Sequence, residues 1–210
     1  MTLNFIVPIV LFLDKDVSKS ARCLTNFHLE HGIRNSIQVL LCSIYYLIGF
    51  RNRTIFSHYV SKDRWDETRF KYFPQYPLNT MPKFSYYNSY ESKWCRMCKD
   101  HYGYLSEYLG CMLEEHAFRY NSEHQLAEMH DFLRTLPFEI AVRRGLRLVS
   151  LKDKSRMQLP WKNLPVKFRK RDIIAGYRAY YRSIIPSALD AFIGTKRDIP
   201  EFLLDKPLYV

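Results

Sequence analysis

The sequence predicts a mainly α-helical fold: a single compact helical domain with a short N-terminal β-strand and a long aromatic, proline-containing connection. Three observations predict it. Apolar residues recur at helical spacing in two separated stretches, around residues 24–47 and 94–113. Glycine is scarce, 7 in 210 residues, which disfavours a many-turned sandwich or a Gly-rich phosphate-binding fold. The length suits one domain and is enough to bury a core without cross-links.

The apolar run from Leu3 to Leu13 is rich in β-formers (Phe5, Ile6, Val7, Ile9, Val10, Phe12), and Pro8 pushes it toward a sheet edge. It is too short to span a bilayer. No Lys or Arg precedes it and no small-residue cleavage site follows, so it makes a poor signal peptide. A second apolar run, Ile37 to Phe50, is also too short to span, and no membrane association is expected. After Asp14 and Asp16, Ser18 or Ser20 can cap a helix running to about Ile48, with Gly32 as a bending point. Residues 51–90 change character: Pro74, Pro77 and Pro82 interrupt a cluster of Tyr, Phe and Trp, which predicts a connection rather than long helices.

The helical period returns from about Tyr90 to Tyr120, with Trp94, Leu105, Tyr108, Leu109, Met112 and Leu113 on the apolar side. Ser122 reads as the cap of a helix over 123–135, and Pro137 as the opening of another over 138–148. Residues 150–170 read as an extended basic segment. A helix over 172–185, a shorter one ending at Gly194 and a tail docked through Phe202, Leu203 and Leu204 complete the chain.

The formal net charge is +11, and its placement is informative. Between Arg143 and Arg182 stand thirteen Lys or Arg against Asp153 and Asp172 alone, so this region carries the whole surplus. Clustered charge of this kind favours phosphate backbones or an acidic protein. Trp161, Phe168, Tyr177, Tyr180 and Tyr181 are interleaved with it, as in a groove that holds phosphates and stacks bases. The expected nucleic-acid contacts include Arg143, Arg144, Arg147, Lys167, Arg169, Lys170 and Arg171. A solvated basic face is the plainer alternative.

Two polar groupings could carry chemistry. His28, His31, Asn35, Gln38 and Cys42 fall on one face of the first helix, either lining a cleft or simply facing water. On the Tyr90–Tyr120 helix, Glu107, Glu114 and Glu115 stand near His116, Arg119 and His124, and Glu115 and Arg119 form an i,i+4 pair. That set could combine acid/base groups with an anion site, or be surface ion pairs. Cys95-x-x-Cys98 followed by His101 lacks the second ligand pair of a zinc site, so neither a metal nor any other cofactor is expected. The five cysteines are odd in number and irregularly spaced, which predicts a reducing, cytoplasmic setting with thiols buried as small apolar groups. No P-loop, G-x-G-x-x-G, H-E-x-x-H or G-x-S-x-G is present, which disfavours those nucleotide-binding, zincin and hydrolase classes.

Three stretches, in order, resemble a family of small uncharacterised bacteriophage proteins. The first is LDKDVSKSARCLTNFHLEHGIRNSIQVLL, matching the family pattern at His28 and Gln38. The second is SKWCRMCKDHYGYLSEYLGCMLEEHAFRYNSEH, matching at Lys93, Trp94, Tyr102, Leu105, Glu107, Glu114, Glu115, Arg119, Tyr120 and His124. The third is GYRAYYRSIIPSALDAFIGTKRDIPEF, matching at Tyr177, Arg178, Tyr180, Tyr181, Arg197, Pro200 and Glu201. Residues 51–86 and 136–158 lie outside the resemblance. It implies a phage origin and a host-cytoplasm setting, without a reaction. It also implies a shared polar site: His28, Glu115 and His124 as catalytic groups, with Gln38, Arg119, Arg178 and Tyr181 binding substrate or anion.

A fainter resemblance is to pyrimidine-dimer DNA glycosylases, small helical phage enzymes that attack a sugar with an N-terminal amine assisted by a Glu. Removal of Met1 would expose the Thr2 amine, but Asn35 stands where that Glu is required, and an amide cannot exchange the proton. The expected function is a phage-encoded nucleic-acid-associated protein that recognises or processes a nucleotide. The alternatives are a non-enzymatic protein binding an acidic host or phage partner, and a glycosylase/lyase-like enzyme.

Overall fold

In the computed structural model the described residues are 10–47, 88–134, 159–160, 162, 164–185 and 187–204. They are mainly helical. In chain order the helices are α1 (Val17–Arg22), α2 (Asn26–Leu47), α3 (Tyr90–Cys95), α4 (Lys99–Tyr120), α5 (residues 127–134), α6 (Ile173–Ile184), α7 (Ala188–Phe192) and α8 (Glu201–Leu204), with a 3-10 turn at Val166–Phe168 before α6. Helices α1 and α2 both pack on α4, α3 packs on α2, and α6 packs on the 3-10 turn and α8.

No strand is present among the described residues. Val10–Leu13, the described part of the predicted strand, is an irregular buried segment threaded between the helices. Its backbone groups pair with side chains rather than with a neighbouring strand. The Tyr108 hydroxyl donates to the Leu11 carbonyl (2.7 Å), Ser20 Oγ accepts the Leu13 N–H (2.9 Å) and Arg178 Nε donates to the Leu13 carbonyl (2.6 Å). Phe12 is its anchor, 1% exposed, with ring centroids 5.5–5.9 Å from Trp94, Tyr104, Tyr108 and Tyr177. Burying a Phe contributes about 1.5–3 kcal/mol, and paired rings add more.

The first long helix expected from the sequence is two helices. Asp16, not Ser18 or Ser20, caps α1 by accepting from the Ser18 and Lys19 N–H groups. The chain then breaks at Cys23–Thr25, and Thr25 Oγ1 accepts the His28 N–H (3.2 Å) as α2 begins. Helix α2 runs unbroken through Gly32. The Tyr90–Tyr120 helix is likewise divided, ending at Cys95 and restarting at Lys99. Helix α4 stops at Asn121, whose φ of 51° reverses the chain. Helix α5 begins at residue 127 rather than beside Ser122; His124 occupies the entry, its carbonyl accepting the Ala127 N–H (2.9 Å). Asp172 caps α6 and Ser187 caps α7. In the tail Leu203 is buried, Phe202 half-buried and Leu204 exposed. Residues 51–87 of the predicted 51–90 connection and the 138–148 helix lie outside the described residues.

The predicted apolar faces are the core. Leu24, Ile33, Ile37, Leu40, Leu41 and Ile44 meet Leu105, Tyr108, Leu109 and Met112, all at most 1% exposed. The seat of the basic segment on α6 is tighter still. A Cβ at Gly176 would lie 2.5 Å from the Phe168 carbonyl oxygen and 3.2 Å from Leu164 Cδ1. Gly176→Ala should therefore cost about 1–3 kcal/mol and shift the 3-10 turn, because a backbone atom has to move. A Cβ at Gly32 meets only the flexible Met112 sulfur, at 2.8 Å, so Gly32→Ala should cost less. Thermal melts of the two variants check the order.

Candidate functional site

The residues expected to form one polar site divide into four sets. In the first, Glu115 and Arg119 lie on one buried face of α4. Arg119 Nε donates to Glu115 Oε1 (2.7 Å), and Arg197 adds bonds of 3.0 and 2.8 Å to the two carboxylate oxygens. Burial raises the Glu115 pKa, but the bonds from Arg197 and Arg119 outweigh it, and the carboxyl is held below its usual value. The other Arg119 nitrogens donate to the Leu24 carbonyl (2.8 Å), Asn26 Oδ1 (3.1 Å) and the Arg22 carbonyl (3.2 Å). These are the acceptors exposed where α1 breaks from α2. Glu115 is thus an anchor ionised at neutral pH, and the Arg119 guanidinium is committed to the fold instead of facing a substrate anion.

In the second set, His28 Nδ1 lies 2.8 Å from Thr25 Oγ1, and the ring sits edge-on to Tyr181, centroids 4.9 Å apart. The Tyr181 hydroxyl accepts the Thr25 N–H (2.8 Å). Burial, with a smaller contribution from His31, lowers the His28 pKa to about 4, so the ring is neutral at pH 7. Tyr181 is fully buried and its pKa is raised by burial. The stripe on α2 grades from exposed His31 through half-buried His28, Asn35 and Gln38 to buried Cys42. Gln38 Oε1 is buried with no partner among the described residues.

In the third set, Arg178 pairs with Asp14 (2.8 Å) and lies over the Phe202 ring (5.1 Å). With Lys19, Arg22, Cys23 and Glu201 it lines an open cleft of about 460 Å³. The Cys23 thiol there is pushed up to about 11 by burial, against the pull of Arg178, so it is not activated as a nucleophile. Arg119, Tyr181 and Arg178 therefore act alike, since each pins a backbone group between Leu13 and Thr25.

In the fourth set, His124 lies with His116 on α4, which the sequence groups with it, and with Glu30 on α2, which it does not. Glu30 Oε1 lies 2.9 Å from His116 Nε2, and Glu30 Oε2 lies 3.3 Å from His124 Nε2. One ligand atom from each of the three lies within 4.8 Å of the others. The His116 ring is nine-tenths buried and the His124 ring more so, while Glu30 is half-buried and gives the cluster an opening to solvent. Burial lowers the His124 pKa, against the pull of Glu30, so its ring is held toward the neutral form. The Leu126 N–H donates to His124 Nδ1 (3.1 Å), which leaves the proton of the neutral ring on Nε2, pointing at Glu30. His116 Nδ1 is buried with no partner among the described residues. The cluster can share protons along one carboxylate or offer an N,N,O donor set to a cation. Its sequence signal was the Asn121 stop, since a left-handed residue after Tyr120 folds the chain back and returns His124 to His116.

The Cys95–Cys98–His101 grouping is built differently. Cys95 is fully buried, its thiol pushed up to about 12 by burial, and His101 stacks on Trp94 (4.6 Å) with Nδ1 2.8 Å from the Trp94 carbonyl.

Of the expected nucleic-acid contacts, Arg143, Arg144 and Arg147 lie outside the described residues. Lys167, Arg169, Lys170 and Arg171 are exposed along one short segment, together with Lys162. Arg169 folds back to donate to the Leu164 and Lys162 carbonyls (2.8 Å each), which stiffens the segment. Trp161 lies outside the described residues, and the described aromatics do not form a stacking surface. Tyr177, Tyr180 and Tyr181 are at most 4% exposed, and half-buried Phe168 packs on Tyr180 (5.4 Å). Among the described residues no helix is long and apolar enough to cross a membrane.

Comparison with known proteins places the chain in no family: no family model matches it, and no curated protein or solved structure is significantly similar.

Proposed function

We propose that this is a nucleic-acid-associated protein that grips the phosphate backbone through the segment from Lys162 to Arg171. The observation that carries this reading is the exposed run Lys167, Arg169, Lys170 and Arg171, next to which the Asp172 carboxylate is engaged as the α6 cap. Exposed clustered cations release counterions on meeting phosphates, which drives binding without base recognition. The burial of Tyr177, Tyr180 and Tyr181 favours backbone contact over base stacking. Arg143, Arg144 and Arg147 would extend the same basic region. The resemblance to bacteriophage proteins suggests a host-cytoplasm setting. No reaction is assigned, because Glu115 and Arg119 are bound to each other and to the α1–α2 joint.

The test is a binding series with duplex DNA, duplex RNA and an acidic polypeptide. Combining Lys167→Gln, Lys170→Gln and Arg171→Gln should weaken nucleic-acid binding on the order of 100-fold in 0.1 M salt, since three phosphates are left without their cations. The melting temperature should stay within a degree or two, because these side chains are exposed. Unchanged nucleic-acid affinity, or binding confined to the acidic polypeptide, would overturn the reading.

A further inference from the structure

We infer that Glu30, His116 and His124 form a binding site for a divalent first-row transition metal ion, with zinc the best match to the donors. Two imidazoles and one carboxylate are a donor set that suits zinc and its neighbours, whereas magnesium and calcium prefer sites made of oxygen. The geometry fits. Each Nε2 lies 2.9 or 3.3 Å from one Glu30 oxygen, near the ~3.3 Å between neighbouring corners of a tetrahedral zinc shell, and one donor atom of each residue lies within 4.8 Å of the others. Each donor comes from a different part of the fold: Glu30 from the first half of α2, His116 from the last turns of α4, and His124 from the segment that returns after Asn121.

Burial points the same way. A surface carboxylate beside a histidine is common and means little, but here both rings are at least nine-tenths buried and share a single carboxylate. Each ring directs Nε2 at that carboxylate, which is where a shared cation would sit. The His124 tautomer has to change for Nε2 to ligate. The proton must move from Nε2 to Nδ1, which gives up the bond from the Leu126 N–H. One neutral hydrogen bond is small beside three metal–ligand bonds, so the exchange favours the ion. Three protein donors leave a fourth position, which the half-buried Glu30 side opens to water.

The experiment uses the full chain, stripped of metal with a chelator that is then removed. Zinc chloride is titrated by calorimetry, and cobalt(II) is added separately and followed by absorption. One zinc per chain is expected, with affinity weakened at least 100-fold in Glu30→Gln and in His124→Ala. Glu30→Gln is nearly isosteric, and its circular dichroism shows whether the fold persists. The cobalt spectrum should carry visible d–d bands of a four- or five-coordinate N,O site and no thiolate charge-transfer band in the near ultraviolet. Failure to bind zinc at micromolar concentration, equal binding by folded Glu30→Gln, or a thiolate band implicating the free cysteines would each overturn the assignment.

Discussion

Arg119→Ala is expected to destabilise the protein by about 3–5 kcal/mol, the usual cost of removing one partner from a buried ion pair. The side chain is fully buried and makes four hydrogen bonds, to Glu115, Leu24, Asn26 and Arg22. Its loss strips the carbonyls at the α1–α2 joint of their donor and leaves Glu115 with Arg197 alone. Each buried carbonyl left without a donor costs about 1–3 kcal/mol. Arg197→Ala should cost less, roughly 1 kcal/mol, because that guanidinium is part-exposed and solvent screens its pairing. Urea denaturation of both variants measures the difference. An Arg119→Ala loss below about 1 kcal/mol would mean that the joint is held by its apolar neighbours instead.

Acid should destabilise the fold through His28. The ring is held neutral, with its pKa lowered to about 4 by burial and by nearby His31, while the unfolded chain takes up its proton near the ordinary imidazole value of about 6.5. Between those two values the unfolded state binds more protons than the folded one, so stability rises with pH. It is fully present above about pH 6.5 and is lost as pH falls toward 4, by on the order of 2–3 kcal/mol. Tyr181 and Thr25, which enclose the ring, stay uncharged throughout this window and offer no counter-charge. His101 and His124, whose pKa values are also lowered by burial, add to the same acid sensitivity. The His28 share is isolated by comparing wild type with His28→Gln, which should show a shallower loss of stability over that range. Nuclear magnetic resonance titration of the His28 ring checks it directly; a midpoint at 6 or above would contradict the account.

What the sequence could and could not disclose follows from the range of the forces involved. The apolar faces of α2 and α4 were legible because burial imposes a period of 3.6 on neighbouring residues, and Ile33, Ile37, Leu105 and Leu109 are buried as that period requires. The break at Cys23–Thr25 was not legible. No Pro or Gly marks it; its polar groups are satisfied by Arg119 and Tyr181, some hundred residues or more away. The predicted strand failed at its described end for the same reason, since Ser20, Tyr108 and Arg178 take the bonds a sheet would have made.

Site reading was limited in a similar way. Helical spacing grouped His28 with His31 and Gln38 but set Glu30 apart from that stripe, since two residues turn roughly 200° around a helix. Only the packing of α2 on α4 brings Glu30 to His116 and His124. Glu115 and Arg119 were correctly paired from their i,i+4 spacing. Their structural role was hidden because Arg197, which completes the network, lies 82 residues away from Glu115. The basic segment was the most legible feature, since charge clustering needs no tertiary knowledge. Its aromatics were misleading, because Tyr177, Tyr180 and Tyr181 serve the core.

The salt dependence of duplex-DNA binding tests phosphate gripping most directly. Plotted as log affinity against log salt concentration, binding by the full chain should fall linearly. Replacing Lys167, Lys170 and Arg171 together should reduce the slope by about 2–3, close to one for each phosphate no longer neutralised. An affinity that stays flat as salt rises, or a slope unchanged in the triple variant, would contradict it.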